Sequence, residues 1–385
     1  MREDIIKLAN AADCNTYEAL REQYPLPPAQ LDGRVYTDPT LYAAERKRIF
    51  LESWFPACPQ SDIPNPGDYT TWERLDQSVI IIRREDGTIS AWHNVCLHRG
   101  AKLVAGRGSA KGGLITCPWH GFSYSTAGEL SRIPLADTFD SSAIANRRCQ
   151  AVRMESWGGY CWLTFSDSQK PLTQYLGGLY DELSYYNLDT FATPYRASFT
   201  INANWKATVD AFNETWHVPF THRDTLGGLM RWKEARIRID APHSWMTLPV
   251  KKFTERAGAQ ASHQDANVCH YTVFPNTIFS CFPTHLQMWS VYPVTINRTV
   301  LDAWGIVGPA PAGIEEHDWQ AQNARSWQHF LDVSSEDIRI LNSLDEVVRS
   351  EGYKGSMFNT AESRLTAFHQ EVLSRCSFDG FSDTD

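Results

Sequence analysis

No apolar run of 18 or more residues occurs in the 385-residue chain, so no membrane-spanning helix is expected. The opening Met-Arg-Glu-Asp leads into no apolar signal region, and a cytoplasmic protein is expected. Basic charge is in deficit: 36 Lys and Arg against 45 Asp and Glu give a formal charge of −9, which argues against nucleic acid as a partner. The nine cysteines are odd in number and scattered, which excludes a secreted disulfide framework. Internal repeats and low-complexity tails are missing, and so are a Gly-rich dinucleotide fingerprint and a flavin motif. Oxidation of NAD(P)H is therefore expected on another protein. What remains is an ordinary globular composition, 42% hydrophobic with 14 tryptophans, long enough for two domains with sizeable cores.

Two short stretches stand out, Cys96-Leu97-His98-Arg99-Gly100 and Cys117-Pro118-Trp119-His120-Gly121. Each carries one Cys and one His, spaced C-x-H and C-x-x-H, with 18 residues between the pairs. A structural zinc site would pair Cys with Cys and His with His at its two ends. Mixed pairs suit a Rieske [2Fe–2S] cluster, in which two cysteines hold one iron and two histidines the other. Cys96, His98, Cys117 and His120 are the expected ligands. Cys14, Cys58, Cys149, Cys161, Cys269, Cys281 and Cys376 are expected to be reduced, mostly buried small hydrophobes.

With Asn94-Val95 before the first motif and Phe122-Ser123-Tyr124 and Gly128 after the second, the chain resembles the large (alpha) subunits of Rieske-type non-heme iron oxygenases. The strand-like runs 69–72, 78–82, 89–92, 154–157 and 160–165, with turn-formers such as Pro66-Gly67-Asp68 and Glu85-Asp86-Gly87 between them, read as a small antiparallel β domain over 45–165. It is preceded by a segment, 1–44, with a short helical opening and a connector rich in proline (Pro25-Leu26-Pro27-Pro28). The remainder, 166–385, mixes helices expected at 172–187, 205–217, 314–350 and 359–376 with strands at 195–203, 233–240, 244–250, 268–281, 286–295 and 298–307. This is an α+β half, and the resemblance implies a helix-grip catalytic domain. The polar segment 253–267 is the expected mobile loop.

His217 and His222 lie five residues apart, a spacing that does not suit one face of a continuous helix. Pro219 is expected to end the helix near His217 and let His222 return to the same point. Two His and one carboxylate form a facial triad that leaves positions on Fe(II) open for dioxygen. Spacing leaves Asp332, Glu336, Asp337, Asp345 and Glu346 open as the third ligand. The resemblance implies Asp337, through the pattern Glu336-Asp337-Ile338-Arg339-Ile340. It also implies that Glu214 links a ligand of the mononuclear iron to a cluster histidine of a neighbouring subunit; on a helix, Glu214 and His217 would share a face. A Glu here, where most relatives have Asp, is similar to oxygenases of quaternary ammonium compounds. Asp210 reads as a solvated helix charge. Phe212, Trp216 and Phe220 could line a substrate site, with core packing expected for at least two. His93, His243, His270 and His285 are expected to be structural.

The resemblance further implies a head-to-tail homotrimer, with a small beta subunit as a possible addition. It also implies electrons from an NAD(P)H-dependent reductase or ferredoxin. The expected activity is mono- or cis-dihydroxylation of an aromatic or cyclic organic substrate with O2. Oxidative demethylation of a quaternary ammonium or methylated amine is the alternative, favoured by Glu214 and the tryptophans available for cation–π contact.

Overall fold

The computed structural model describes residues 30–226, 234–250, 262–282 and 285–382. The expected helical opening and the proline-rich connector, along with most of the 253–267 loop, lie outside them. The chain divides into two compact units: Leu51–Tyr175 with Asn187–Asp189, and the described residues before Leu51, Leu176–Tyr186 and onward from Thr190.

The first unit is antiparallel β structure. Strands Ile89–His93, Gln77–Arg83, Asp68–Arg74 and Arg107–Ser109 form one sheet in that order, and two three-stranded sheets complete it. The β-branched run Val79-Ile80-Ile81-Ile82 is fully buried and drives the central strand. The core of Ile80, Ile82, Trp92, Leu103, Ile115, Phe122 and Tyr124 also takes in Cys96 and Cys117.

The second unit is built on a seven-stranded antiparallel sheet. In chain order its strands are β1 (Ala192–Ile201), β2 (Arg236–Asp240), β3 (His243–Pro249), β4 (Asn267–Val273), β5 (Thr277–Cys281), β6 (His285–Thr295) and β7 (Arg298–Val307), arranged β1-β7-β6-β5-β4-β3-β2. Four helices matter for the site: α1 (Trp205–Phe212), α2 (Val218–Thr221), α3 (Glu316–Val347) and α4 (Ser363–Cys376). The expected 268–281 strand is a hairpin, β4 and β5, turning through Pro275. The expected helix at 172–187 is two short ones, Leu172–Leu176 and Gly178–Ser184, parted at Gly177 with φ +53°.

Helix α1 is pinned at its start. Asn204 caps it by accepting from Lys206 N at 3.0 Å, while its amide donates to the carbonyls of Tyr36 and Ile296. Lys206 Nζ then meets Glu45 Oε1 at 2.5 Å with both side chains 1% exposed, and Trp205 Nε1 donates to Glu45 Oε2 at 2.7 Å. Removing one member of a buried pair strands the other's charge, which costs about 3–5 kcal/mol, whereas replacing both with apolar groups is far milder. Glu45→Ala should therefore lower the unfolding free energy by about 3–5 kcal/mol in denaturant titration, and the double variant Glu45→Leu, Lys206→Met should lose less.

A pH effect follows from β6. Burial pushes the His285 imidazole, stacked on Phe282 at 4.6 Å, down to about 4 from an ordinary 6.5. Between those values the unfolded chain binds the proton and the native state does not, so stability falls as pH drops through the window. His285→Phe should flatten that part of a stability–pH profile measured by thermal unfolding.

Candidate active site

The two Cys-His loops share one backbone design. Cys96 N donates to Ala101 O at 2.8 Å and Gly100 N to Cys96 O at 2.9 Å; Cys117 N donates to Phe122 O at 2.7 Å and Gly121 N to Cys117 O at 3.2 Å. The closing glycines have φ +76° and +75°, a conformation that strains any other residue. The turns bury both cysteines and bring the histidine rings edge to face, 4.7 Å between centroids, with His120 exposed. His98 is held by stacking on Phe122, and its Nδ1 is buried with no hydrogen-bond partner. An orphaned imidazole nitrogen beside buried thiols is a donor set awaiting a metal, so these residues fit a [2Fe–2S] cluster. The hydroxyl of Tyr124 accepts from Leu97 N at 2.9 Å and lies 3.3 Å from Cys96 Sγ, so it can donate to a thiolate there. Among the described residues the four side chains do not gather three donors around one point, as a single zinc ion would demand.

One such gathering does exist among the described residues: His217, His222 and Asp337. The two Nε2 atoms are 3.2 Å apart, and Asp337 Oδ1 lies 3.0 Å from His222 Nε2 and 3.7 Å from His217 Nε2. Neighbouring octahedral positions about 2.1 Å from an ion are about 3.0 Å apart, so the triangle matches one face of a coordination sphere. Each imidazole is turned by a carboxylate at its far nitrogen: Glu214 Oε1 at His217 Nδ1, and Glu336 Oε2 at His222 Nδ1, 2.7 Å away. Those partners fix the tautomer that leaves Nε2 free for metal. Burial opposes charge on His222, but Asp337 and Glu336 outweigh it and raise its pKa; Glu336 is itself held below its usual range despite desolvation, by His222 and Thr225. The pocket of carboxylates thus favours a cation, and the residues fit a mononuclear iron.

The chain reaches this geometry differently from the expected route. Helix α1 stops at Phe212, and Asn213 ends it by accepting from Thr272 Oγ1 on β4 at 2.6 Å. Glu214 therefore sits in a loop and not on a helix with His217; its Oε2 accepts from the backbone N–H groups of Trp216 and His217. Pro219 does not end a helix but sits in the first turn of α2, where its missing N–H is harmless. His217 caps the N-terminal end of that turn and His222 the C-terminal end, so five residues bring the two rings together. Asp337 comes from α3, whose buried residues Trp319, Asn323, Phe330, Ser334, Asp337 and Leu341 recur at helical spacing.

Other expectations need correcting. Asp210 is no solvated charge: it accepts from Tyr36 Oη at 2.8 Å and from His369 Nε2 at 2.9 Å. Trp216 and Phe220 are 45% and 74% exposed, so neither is core. Phe212 lines a cleft with a cavity of about 100 Å³ at the metal site, stacked on Trp289 with 5.0 Å between centroids. His270 also lines that cleft, whereas His243 is structural, accepting from Phe274 N. Asp345 pairs with Arg349 and Asn297. Glu336, considered as a metal ligand, instead supports His222. All the described cysteines are buried and unbridged.

A family profile for the Rieske [2Fe-2S] domain matches residues 53–146, and one for the ring hydroxylating alpha subunit (catalytic domain) matches 187–377. The chain belongs to the Rieske non-heme iron oxygenases, as an alpha subunit. It is thus an oxidoreductase that incorporates oxygen from O2. It is 24% identical over 332 residues to the carnitine monooxygenase oxygenase subunit of Escherichia coli K12, across 84% of this chain and 86% of that one. To the large oxygenase component of the naphthalene 1,2-dioxygenase system of Pseudomonas putida it is 34% identical over 203 residues, 50% of this chain and 44% of the other. A quaternary ammonium Rieske monooxygenase in complex with L-carnitine superposes with TM-score 0.75 at 20% identity, over 91% and 96% of the two chains. The naphthalene 1,2-dioxygenase of Rhodococcus sp. bound to indole gives 0.73 at 19%, over 97% and 98%. Both have the same fold. No helix among the described residues is long and apolar enough to cross a membrane.

Metal analysis separates the two centres. The loaded protein should carry about three irons and about two acid-labile sulfides per chain. His222→Ala should lose about one iron and keep the sulfide, and Cys117→Ser should lose the sulfide with its two irons.

Proposed function

We propose that the chain is the terminal oxygenase of a multi-component system that hydroxylates a neutral aromatic substrate, with electrons from a separate reductase or ferredoxin. The observation behind the substrate class is the lining of the cleft. Phe212, Trp289 and Phe330 run along it, Phe212 stacked on Trp289 at 21° and Trp289 tilted against Phe330 at 37°. Leu248, Phe282 and Val333 add apolar surface, and among the described residues no Lys or Arg lines the cleft. Together these three rings give an arene an aromatic wall to pack against. A quaternary ammonium group is better held by faces that surround it, and the carboxylate of carnitine would want a cation, which none of the described lining residues offers. The second reading, demethylation of a quaternary ammonium compound, is favoured by the breadth of the similarity to carnitine monooxygenase and by Glu214.

In this reading, the cluster, when bound to Cys96, His98, Cys117 and His120, supplies electrons, and Fe(II) held by His217, His222 and Asp337 activates dioxygen. Glu214 and Glu336 keep the imidazoles oriented, and the apolar walls hold the ring and exclude water. A ring of like subunits, in which Glu214 meets a neighbour's cluster histidine, is supported by exposed aromatics on both sides: Trp119 beside His120, and Trp216 and Phe220 beside His217.

The test is a single turnover of reduced protein under labelled dioxygen with naphthalene, benzoate, choline and carnitine. Label incorporated into naphthalene, two atoms for a dioxygenase or one for a monooxygenase, is the expected result. Formaldehyde or aldehyde from choline or carnitine alone would establish the second reading. Glu214→Gln should keep iron and sulfide but slow oxidation of the reduced cluster about 100-fold, followed by stopped-flow absorbance.

A further inference from the structure

One wall of the cleft departs from its apolar character in an ordered way. His270 on β4 pairs directly with Ser280 on β5, and Ser280 with Gln287 on β6. Directly opposed residues project from the same face of a sheet, so the three side chains form a row across adjacent strands about 4.8 Å apart. All three line the cleft. His270 Nδ1 is buried without a hydrogen-bond partner. Trp289 Nε1 and Thr215 Oγ1, on two further lining residues, are orphaned in the same way. Polar groups in a pocket that excludes water are costly when unpaired. A pocket shaped for a bare hydrocarbon would fill these positions with Val, Leu or Phe.

We propose that the His270–Ser280–Gln287 row binds a neutral hydrogen-bonding group on the substrate, so that the preferred substrate is an apolar ring bearing a carbonyl or hydroxyl group. This rests on the aromatic reading above and narrows it. Burial pushes His270 down to about 3, with Arg364 and His217 adding to the effect, so the imidazole is neutral and can both donate and accept. Ser280 and Gln287 likewise offer both roles without charge. The buried Arg364 does not line the cleft, and it donates to Ser244 Oγ at 3.0 Å and to Thr272 Oγ1 at 2.6 Å. The three side chains of the row are thus neutral hydrogen-bonding groups. The rings of Phe212, Trp289 and Phe330 hold the apolar body while the row sets which end of it carries oxygen or nitrogen.

The test is calorimetric binding to the iron-loaded protein with oxygen excluded, using indane, 1-indanone, indane-1-carboxylate and choline. The expected result is that 1-indanone binds about tenfold more tightly than indane, the scale of one hydrogen bond in a dry pocket, and that the carboxylate binds more weakly than the ketone. His270→Phe and Gln287→Leu should each bring the ketone-to-hydrocarbon ratio towards one, and Ser280→Ala, a smaller change, should reduce it in part. Retained mononuclear iron at His217, His222 and Asp337, in the same unit as the substitutions, certifies the fold of each variant, and the wild-type ratio decides if none folds. Equal affinity for indane and 1-indanone, or an unchanged ratio in folded variants, would each overturn the proposal while leaving the aromatic reading intact; tightest binding of the carboxylate would overturn the proposal and, with it, the neutrality of the proposed aromatic substrate. Binding of choline with none of the three ring compounds would overturn both.

Discussion

Three donor atoms, His217 Nε2, His222 Nε2 and Asp337 Oδ1, stand within 3.0 to 3.7 Å of one another, and the catalytic half is arranged to hold them there. Three lone-pair donors this close repel one another unless a cation lies between them, so the arrangement must be enforced from outside. Enforcement comes from two directions. The loop after α1 is tied by Glu214 to its own backbone and by Asn213 to β4. Asp337 is delivered by a helix of 32 residues whose apolar stripe packs its position inward. Neither histidine is free to turn, because each far nitrogen already faces a carboxylate.

The β unit solves a related problem with other means. Its two loops repeat one hydrogen-bond pattern, each closed by a glycine at positive φ, and thereby bury a thiol and leave an imidazole towards the surface. The cysteines are part of the hydrophobic core itself. His120 is exposed, and beside it stands the exposed Trp119 with Arg99 over its face at 4.5 Å.

The motifs were legible because their chemistry is local. Cys96, His98, Cys117 and His120 announce themselves by spacing, and the alternating and β-branched runs announce the sheets. His217 and His222 are legible only as a pair, and Pro219 opens a turn where the spacing predicts that it ends one, since proline in a first helical turn and proline after a last turn look alike in a string of letters. Asp337 was reached through family resemblance, yet a physical signal was present. It continues the spacing of Trp319, Phe330 and Leu341, whereas Glu336 does not, and a carboxylate on a buried stripe asks for a cation. The roles of Asp210, Glu336 and His270 were not legible because each depends on contacts more than 50 residues away in the chain, or on sheet register. The polar row at His270, Ser280 and Gln287 appears only once three strands are aligned.

The central claim is that the catalytic half holds its metal with two imidazoles and one carboxylate, independent of the cluster. The most direct measurement is zinc K-edge X-ray absorption on protein whose cluster retains iron while the mononuclear site is loaded with zinc, so that the element separates the two centres. The account predicts a first shell of nitrogen and oxygen only, at about 2.0–2.2 Å with imidazole scattering beyond it, and loss of bound zinc in His222→Ala. A sulfur shell at about 2.3 Å, unchanged by that substitution, would place the metal among the cysteines and contradict it.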